Sequence, residues 1–170
     1  VERNVPSLVR GDPVRVRQIF SNLLGNAIKF TEQGEVSLSV RGERISDDRV
    51  NIVITIRDTG IGMTEEAVLR LFQSFTQADT STTRKYGGTG LGLAITKRLV
   101  DAVHGTIAVD SEFGRGTTFV VTLPMQVGVA KRGVRRADLS GFKVLVVDDN
   151  ATNRTVVEQY LQTLLAEQNK

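Results

Sequence analysis

Twice along this chain, an amphipathic helix pattern is followed by a pair of strand patterns. The first helix begins at Asp12-Pro13, where a capping side chain precedes a proline at the first helical position. The strand patterns either alternate apolar and polar residues or are dense in β-branched residues. This order predicts a two-layer α/β domain. Helices are expected over residues 12–30, 64–72 and 91–103, and strands over 36–40, 50–57, 106–110 and 117–123.

The segment between the second and third helices is polar and ends in glycines. Residues 73–88 hold few apolar side chains, and such a length without its own pattern predicts a long mobile loop.

Composition excludes several classes of protein. The chain has 170 residues and a formal net charge of +3, which is too weak a field to favour nucleic acid as a partner. No apolar run approaches the roughly 18 residues of a membrane span, so we expect no membrane contact and a cytoplasmic location. No cysteine is present, which removes thiolate zinc sites and cysteine nucleophiles. The first residue is Val1, without a signal peptide after it, so we expect a fragment of a longer chain.

The composition of the sequence changes after Pro124, where the alternating helix and strand patterns end. Residues 126–141 hold four Lys and Arg within a short stretch and are predicted to be a basic linker, with a phosphate- or RNA-binding patch as the alternative. Residues 142–170 begin with an apolar run that predicts a buried parallel strand, then Asp148 and Asp149, then a helix through Leu165. So short a piece cannot close its own core.

A polar stripe follows one side of the first helix. Gln18, Asn22 and Asn26 recur every four residues, and Lys29 lies one turn further on. Amide oxygens on one face can hold a hydrated cation, and a nearby lysine can approach phosphate. A solvated face is the simpler interpretation of this stripe.

An acidic residue and two glycines directly follow the central strand. The Asp58 carboxylate can accept a hydrogen bond from a ligand amine while the backbone at Gly60 and Gly62 approaches the ligand ring. A plain turn after a strand has a similar pattern.

A glycine-rich segment opens the third helix. The run from Gly87 to Leu93 lets N–H groups converge on an anion at a helix start, and Arg84 and Lys85 before it offer cations. The spacing fits neither a P-loop nor a Rossmann fingerprint.

Taken in order, these elements resemble the ATP-binding catalytic domain of sensor histidine kinases. The elements are the asparagine-bearing helix, Asp-x-Gly-x-Gly, Phe72-Gln73-Ser74-Phe75, the glycine-rich run from Gly87 to Leu93, and Gly116-Thr117-Thr118-Phe119, within residues 7–124. The resemblance implies the Bergerat fold: a two-layer α/β sandwich whose mixed sheet carries helices on one face. The resemblance places the catalytic domain at 1–125 and the linker at 126–141. Residues 142–170 resemble the truncated start of a receiver domain, with Asp148 and Asp149 as its acidic pair.

The resemblance also implies ATP and Mg²⁺ as ligands. On the adenine side, Asp58 would accept the 6-amino group, Phe30 would pack on the ring, Gly60 and Gly62 would line the pocket, and Thr117 would support water around Asp58. On the phosphate side, Asn26 would coordinate Mg²⁺ with Asn22 beside it, and Lys29 would approach phosphate. The remaining nucleotide-binding residues would be Arg84, Lys85, Gly88, Thr89, Gly90, Leu91 and Gly92, and loop 73–88 would be the lid.

One position separates kinases from ATPases in this superfamily. Hydrolysing members carry a Glu where this chain has Asn22, and an amide cannot take a proton from water. Phosphoryl transfer is therefore expected, with Asn26 and Lys29 as catalytic residues. The implied partners are a histidine-containing dimerisation domain, expected before residue 1, and a receiver domain or response regulator. His104 precedes Gly105 at a helix end and is expected to be structural. A hydrolysing ATPase and a nucleotide-independent interaction module remain the alternatives.

Overall fold

The computed structural model describes residues 1–2, 4–72, 91–128 and 144–168. The chain divides into two compact units, Val1–Ala130 and Lys131–Lys170. No described helix has both the length and the apolar character needed to cross a bilayer.

The first unit contains five strands and three helices among its described residues. Each predicted helix and strand of this unit is present, and a two-residue strand precedes the first helix. The elements are β1 (Val9–Arg10), α1 (Pro13–Phe30), β2 (Val36–Arg44), β3 (Arg49–Asp58), α2 (Glu65–Arg70), α3 (Gly92–Ala102), β4 (Thr106–Glu112) and β5 (Gly116–Val127).

The strands form one sheet in which β3 lies between β2 and β5. The other edge of β5 pairs with β4 along one part of its length and with β1 along another. This arrangement confirms the two-layer Bergerat-type α/β fold. The sheet nevertheless differs from the mixed one that was expected, because every pairing among the described residues is antiparallel. β3 and β4 run in the same direction, but β5 lies between them.

The core lies between the sheet and its helices. Alternate residues of β3 and β5 face the same side because side chains of a strand alternate between faces. Removing one large apolar side chain of this kind from water stabilises the fold by about 1.5–3 kcal/mol. The buried cluster consists of Ile19, Leu23, Ala27, Val50, Ile52, Ile54, Ile56, Val100, Phe119, Val121 and Leu123.

The helix starts follow from side-chain capping. The Asp12 carboxylate accepts hydrogen bonds from the N–H groups of Val14 and Arg15, at 2.9 and 3.2 Å, as the sequence predicts. The Thr64 hydroxyl caps α2 in the same way, by accepting from Ala67 N at 3.3 Å. α3 differs, since its cap residue Leu91 supplies no side-chain hydrogen bond.

The described part of the second unit contains one helix, α4 (Ala151–Gln168), which confirms the helix expected there. Asn150 caps it by accepting from Thr152 N at 2.8 Å. Residues 144–147 form no strand, so the predicted strand is wrong for these four residues. A strand needs a backbone partner, and none of the described residues pairs with this segment. Leu145 and Val147 are accordingly 86% and 83% exposed. The basic segment 129–143 lies outside the described residues.

Candidate functional site

A buried carboxylate lies at the end of the central strand. Asp58 is the last residue of β3 and only 6% exposed. It lies directly opposite Thr117 of β5, on the face that carries Ile56 and Phe119. Asp58 and Thr117, predicted from the sequence as neighbours of one ligand, are therefore adjacent in the fold.

The two oxygens of Asp58 have different surroundings. Oδ1 accepts hydrogen bonds from Gly60 N at 2.9 Å and from Thr117 N at 3.2 Å. Among the described residues, no group donates to Oδ2. The backbone thus holds the carboxylate in one orientation, with one acceptor oxygen left for another donor.

A hydroxyl pair lies next to this carboxylate. Thr117 Oγ1 and Ser111 Oγ are 2.9 Å apart, and Ser111 Oγ also accepts from Met63 N at 2.9 Å and donates to the Gly116 carbonyl at 3.0 Å. Ser111 was not predicted as a site residue from the sequence. Its position in register with Thr117 follows from pairing β4 with β5, which the spacing of the hairpin turn could have indicated.

Three glycines allow close backbone packing around Asp58. A Cβ at Gly60 would overlap the Phe30 carbonyl oxygen, and one at Gly62 would overlap the Glu112 carbonyl oxygen. Gly62 and Gly116 also have φ of +62° and +107°, which side chains disfavour. The fold itself therefore requires these glycines, and the base-lining role of Gly60 and Gly62 stays a prediction.

The end of α1 is fastened to the Asp58 loop. Ile61 N donates to the Phe30 carbonyl at 3.1 Å, which brings the predicted ligand-binding residues Lys29 and Phe30 beside this loop. Both side chains are half-buried, and Lys29 Nζ lies 4.8 Å from the centroid of the Phe30 ring.

The polar stripe of α1 divides into three different environments. Asn22 Nδ2 donates to the Gly92 carbonyl and to Thr96 Oγ1, each at 3.2 Å. Asn26 is half-buried, and its side chain makes no hydrogen bond to any described residue. Gln18 is exposed, as the simpler interpretation expects. Thr96, which is fully buried, was not found from the sequence.

The start of α3 is the described part of the predicted phosphate turn. A Cβ added at Gly92 would have no neighbour nearer than Asn22 Cγ, at 3.9 Å. Packing of the described residues therefore does not require glycine at this position. The other residues of the turn and lid lie outside the described residues: Arg84, Lys85, Gly88, Thr89, Gly90 and loop 73–88.

The residues on α1 are suited to a hard cation. In the described ranges, no three His, Asp or Glu side chains gather into a metal site. A divalent ion here would depend on amide oxygens and on oxygens of its ligand, which are donors that Mg²⁺ accepts. The unengaged amide of Asn26 fits this requirement.

The chain is similar to known proteins over most of its length. Residues 11–127 match the family described as histidine kinase-, DNA gyrase B-, and HSP90-like ATPase. The chain is 43% identical over 153 residues to the signal transduction histidine-protein kinase BarA of Escherichia coli K12, covering 89% of this chain and 17% of BarA. It is 39% identical over 163 residues to the sensor protein GacS of Pseudomonas syringae pv. syringae, covering 95% of this chain and 18% of GacS. The chain thus spans less than a fifth of these relatives.

Solved structures similar to this fold include the following two. The crystal structure of full-length ShkA in complex with AMPPNP superposes with a TM-score of 0.67 at 34% identity, covering 95% of this chain and 32% of ShkA. The mycobacterial sensor histidine kinase MprB superposes with a TM-score of 0.51 at 28% identity, covering 69% of this chain and 75% of that structure.

Proposed function

The chain belongs to the family of histidine kinase-, DNA gyrase B- and HSP90-like ATPases, and from this premise we propose that it binds Mg-ATP. We further propose that it donates the γ-phosphoryl group to a histidine on a separate dimerisation domain, as part of a hybrid sensor histidine kinase. Its relatives BarA and GacS carry the names of a histidine kinase and a sensor protein.

The observation that supports this proposal most strongly is the asymmetric environment of Asp58. Two backbone N–H groups orient its carboxylate through Oδ1, so Oδ2 is a fixed acceptor at the end of the sheet. An adenine 6-amino group is a donor suited to that oxygen. Guanine has a carbonyl at the same ring position, so the site should prefer ATP to GTP.

The proposed phosphate end lies between α1 and α3. Asn26 would hold Mg²⁺ through its amide oxygen, with the oxygen of Asn22 beside it, and Lys29 would contact phosphate. When bound, the ion neutralises phosphate charge. The start of α3, at Leu91 and Gly92, receives no hydrogen bond from the side chain of its cap residue, and its backbone N–H groups are proposed to bind an anion. Arg84, Lys85, Gly88, Thr89 and Gly90 are proposed to complete this end, and loop 73–88 to cover it.

Transfer to a protein histidine is favoured over hydrolysis by the chemistry of Asn22. Its amide cannot accept a proton from water, so the position lacks a general base. In the proposed step, a neutral imidazole nitrogen forms a bond to the γ-phosphorus, and the bond from phosphorus to the bridging oxygen breaks. ADP leaves, and the ring loses its N–H proton to solvent. Asn26 and Lys29 serve by positioning and charge neutralisation.

The C-terminal segment is proposed to be the start of a receiver domain. Within its acidic pair, Asp148 is held by Asn153, whose Nδ2 donates to both carboxylate oxygens, at 3.2 and 3.3 Å. A receiver domain or response regulator would then be the downstream partner, after a linker at 126–141.

Calorimetric titration of the 170-residue chain with Mg-ATP tests the nucleotide site. Asp58→Asn keeps an oxygen for the backbone donors but loses the charge, and we expect about tenfold weaker binding or worse. Asn26→Ala should also weaken binding, and Gln18→Ala, on the same stripe but exposed, should not. Folded wild-type chain that shows no saturable binding, or Asp58→Asn that binds equally well, would contradict the site.

Phosphoryl transfer is tested with ATP labelled at its γ-phosphate and an added histidine-containing dimerisation domain. Label should reach that domain only when this chain is present. Steady release of free phosphate by the chain alone would instead favour the hydrolysing ATPase. Absence of nucleotide affinity would favour the interaction module.

A further inference from the structure

We propose that Asn22 and Thr96 form a positioning pair that sets the spacing between α1 and the start of α3, and thereby the width of the phosphate end of the site. The inference rests on the proposed function, since it assumes that phosphate binds between these two helices. It assigns a role to Thr96 and adds a second one to Asn22.

The pair joins two helices that are distant in sequence. Asn22 Nδ2 has two hydrogens, and it has two acceptors, the Gly92 carbonyl and Thr96 Oγ1, each at 3.2 Å. The Thr96 hydroxyl in turn donates to the Gly92 carbonyl at 2.9 Å. Three polar groups therefore close a ring that fastens α1 to the first turn of α3.

Burial makes these hydrogen bonds consequential. Thr96 is 0% exposed and Asn22 is half-buried. A buried polar group that loses its partner retains its desolvation cost, typically about 1–3 kcal/mol. Separation of the two helices would leave the Asn22 amide without either acceptor, so the paired state is favoured and the helix spacing is restricted.

The same bonds determine where the amide oxygen lies. Rotating the Asn22 amide by half a turn would bring its oxygen against the Gly92 carbonyl oxygen and lose the hydrogen bond to it. Thr96 could donate to the rotated oxygen only by giving up its own hydrogen bond to Gly92. Oδ1 is therefore directed away from these acceptors. An ideal Cβ at Gly92 would lie 4.0 Å from Oδ1, so this oxygen is close to the start of α3. The positioning pair thus fixes a helix start and an amide oxygen relative to each other.

Substitution at Thr96 separates this role from direct ligand binding, because Thr96 is enclosed in the helix interface. Thr96→Val removes the hydroxyl at nearly constant volume. Thr96→Ala and Thr96→Ser differ from each other by a single oxygen atom, so they isolate the same hydroxyl even if the valine variant does not fold.

The experiment is calorimetric titration of the full chain and these three variants with Mg-ATP and, separately, with adenosine. We expect Thr96→Val and Thr96→Ala to bind Mg-ATP about three- to tenfold more weakly. Affinity for adenosine should be unchanged, because Asp58 and its loop are untouched. Thr96→Ser should restore Mg-ATP binding to within about twofold of the wild type.

Several results would overturn the inference. One such result is a valine or alanine variant that binds Mg-ATP as tightly as the wild type does. Another is an equal loss of affinity for Mg-ATP and for adenosine, which would indicate general destabilisation. Failure of serine to restore binding would likewise exclude the hydroxyl as the cause. A wild-type chain that binds no Mg-ATP would instead overturn the proposed function, so the two failures are distinguishable.

Discussion

Asp58 shows how one side chain serves the fold and a ligand site together. Oδ1 is used by the protein itself, to hold the Gly60 turn and the start of β5, while Oδ2 remains available for a donor. The position of Asp58 at the end of a β-branched strand was enough to predict it as a candidate. The hydrogen bond from Thr117 N that helps to orient it could not be predicted from a local pattern, because Thr117 is 59 residues away.

His104 provides a test at the scale of one residue. It has φ of +57° and follows α3, where Gly105 N donates to the Val100 carbonyl at 2.9 Å. A non-glycine residue in this conformation destabilises the folded state by roughly 1–2 kcal/mol. Glycine avoids this strain, but its greater flexibility in the unfolded state offsets part of the gain. We expect His104→Gly to raise the free energy of unfolding by about 0.5–1 kcal/mol in urea titration.

His104 is exposed, so its replacement should leave Mg-ATP affinity unchanged. His104→Ala is the control, since alanine is as strained as histidine there and should bring no gain. A glycine variant less stable than the wild type would show that the side chain has an unrecognised structural contact.

At the scale of the elements, the loop after β3 and the start of α3 each carry a glycine, but for different reasons. At Gly62 the requirement comes from the protein, through a positive φ and the nearby Glu112 carbonyl. At Gly92 the described structure imposes no such requirement. A glycine that the fold does not need is more readily explained by a ligand that approaches the backbone.

This difference predicts opposite outcomes for two alanine substitutions. Gly62→Ala should lower the free energy of unfolding by about 2 kcal/mol or more, because backbone must move. Gly92→Ala should not lower the free energy of unfolding, since alanine favours the helix, yet it should weaken Mg-ATP binding by adding a methyl group beside Asn22. Thermal unfolding and calorimetry measure the two effects. Full Mg-ATP affinity in a folded Gly92→Ala chain would remove this helix start from the site.

At the scale of the whole molecule, the first unit has a core of its own. Among the described residues, the buried cluster and the apolar residues packed against it lie between Val5 and Val127. We therefore expect a chain ending at Ala130 to unfold cooperatively at the same urea concentration as the full chain and to bind Mg-ATP with an affinity within about twofold. A lower midpoint for the shortened chain would show that residues 131–170 stabilise the first unit.

Local patterns in the sequence determined the helices, most of the strands and the principal candidate residues. These patterns extend over only a few residues, so they can be recognised without knowledge of the fold. They include the Asp12 cap, the β-branched run that ends at Asp58 and the spacing of Asn22 and Asn26. The strand predicted for 144–147 is wrong, because a strand also needs a neighbouring strand to pair with, which a local pattern cannot supply.

Tertiary structure decided which of these groups meet. Asn22 and Thr96 are 74 residues apart, and Ser111 reaches Thr117 only because β4 pairs with β5 in one register. The insertion of β5 between β3 and β4 likewise made the sheet antiparallel. Such contacts depend on how helices and strands pack against each other, and packing is a property of the assembled core that no single segment contains.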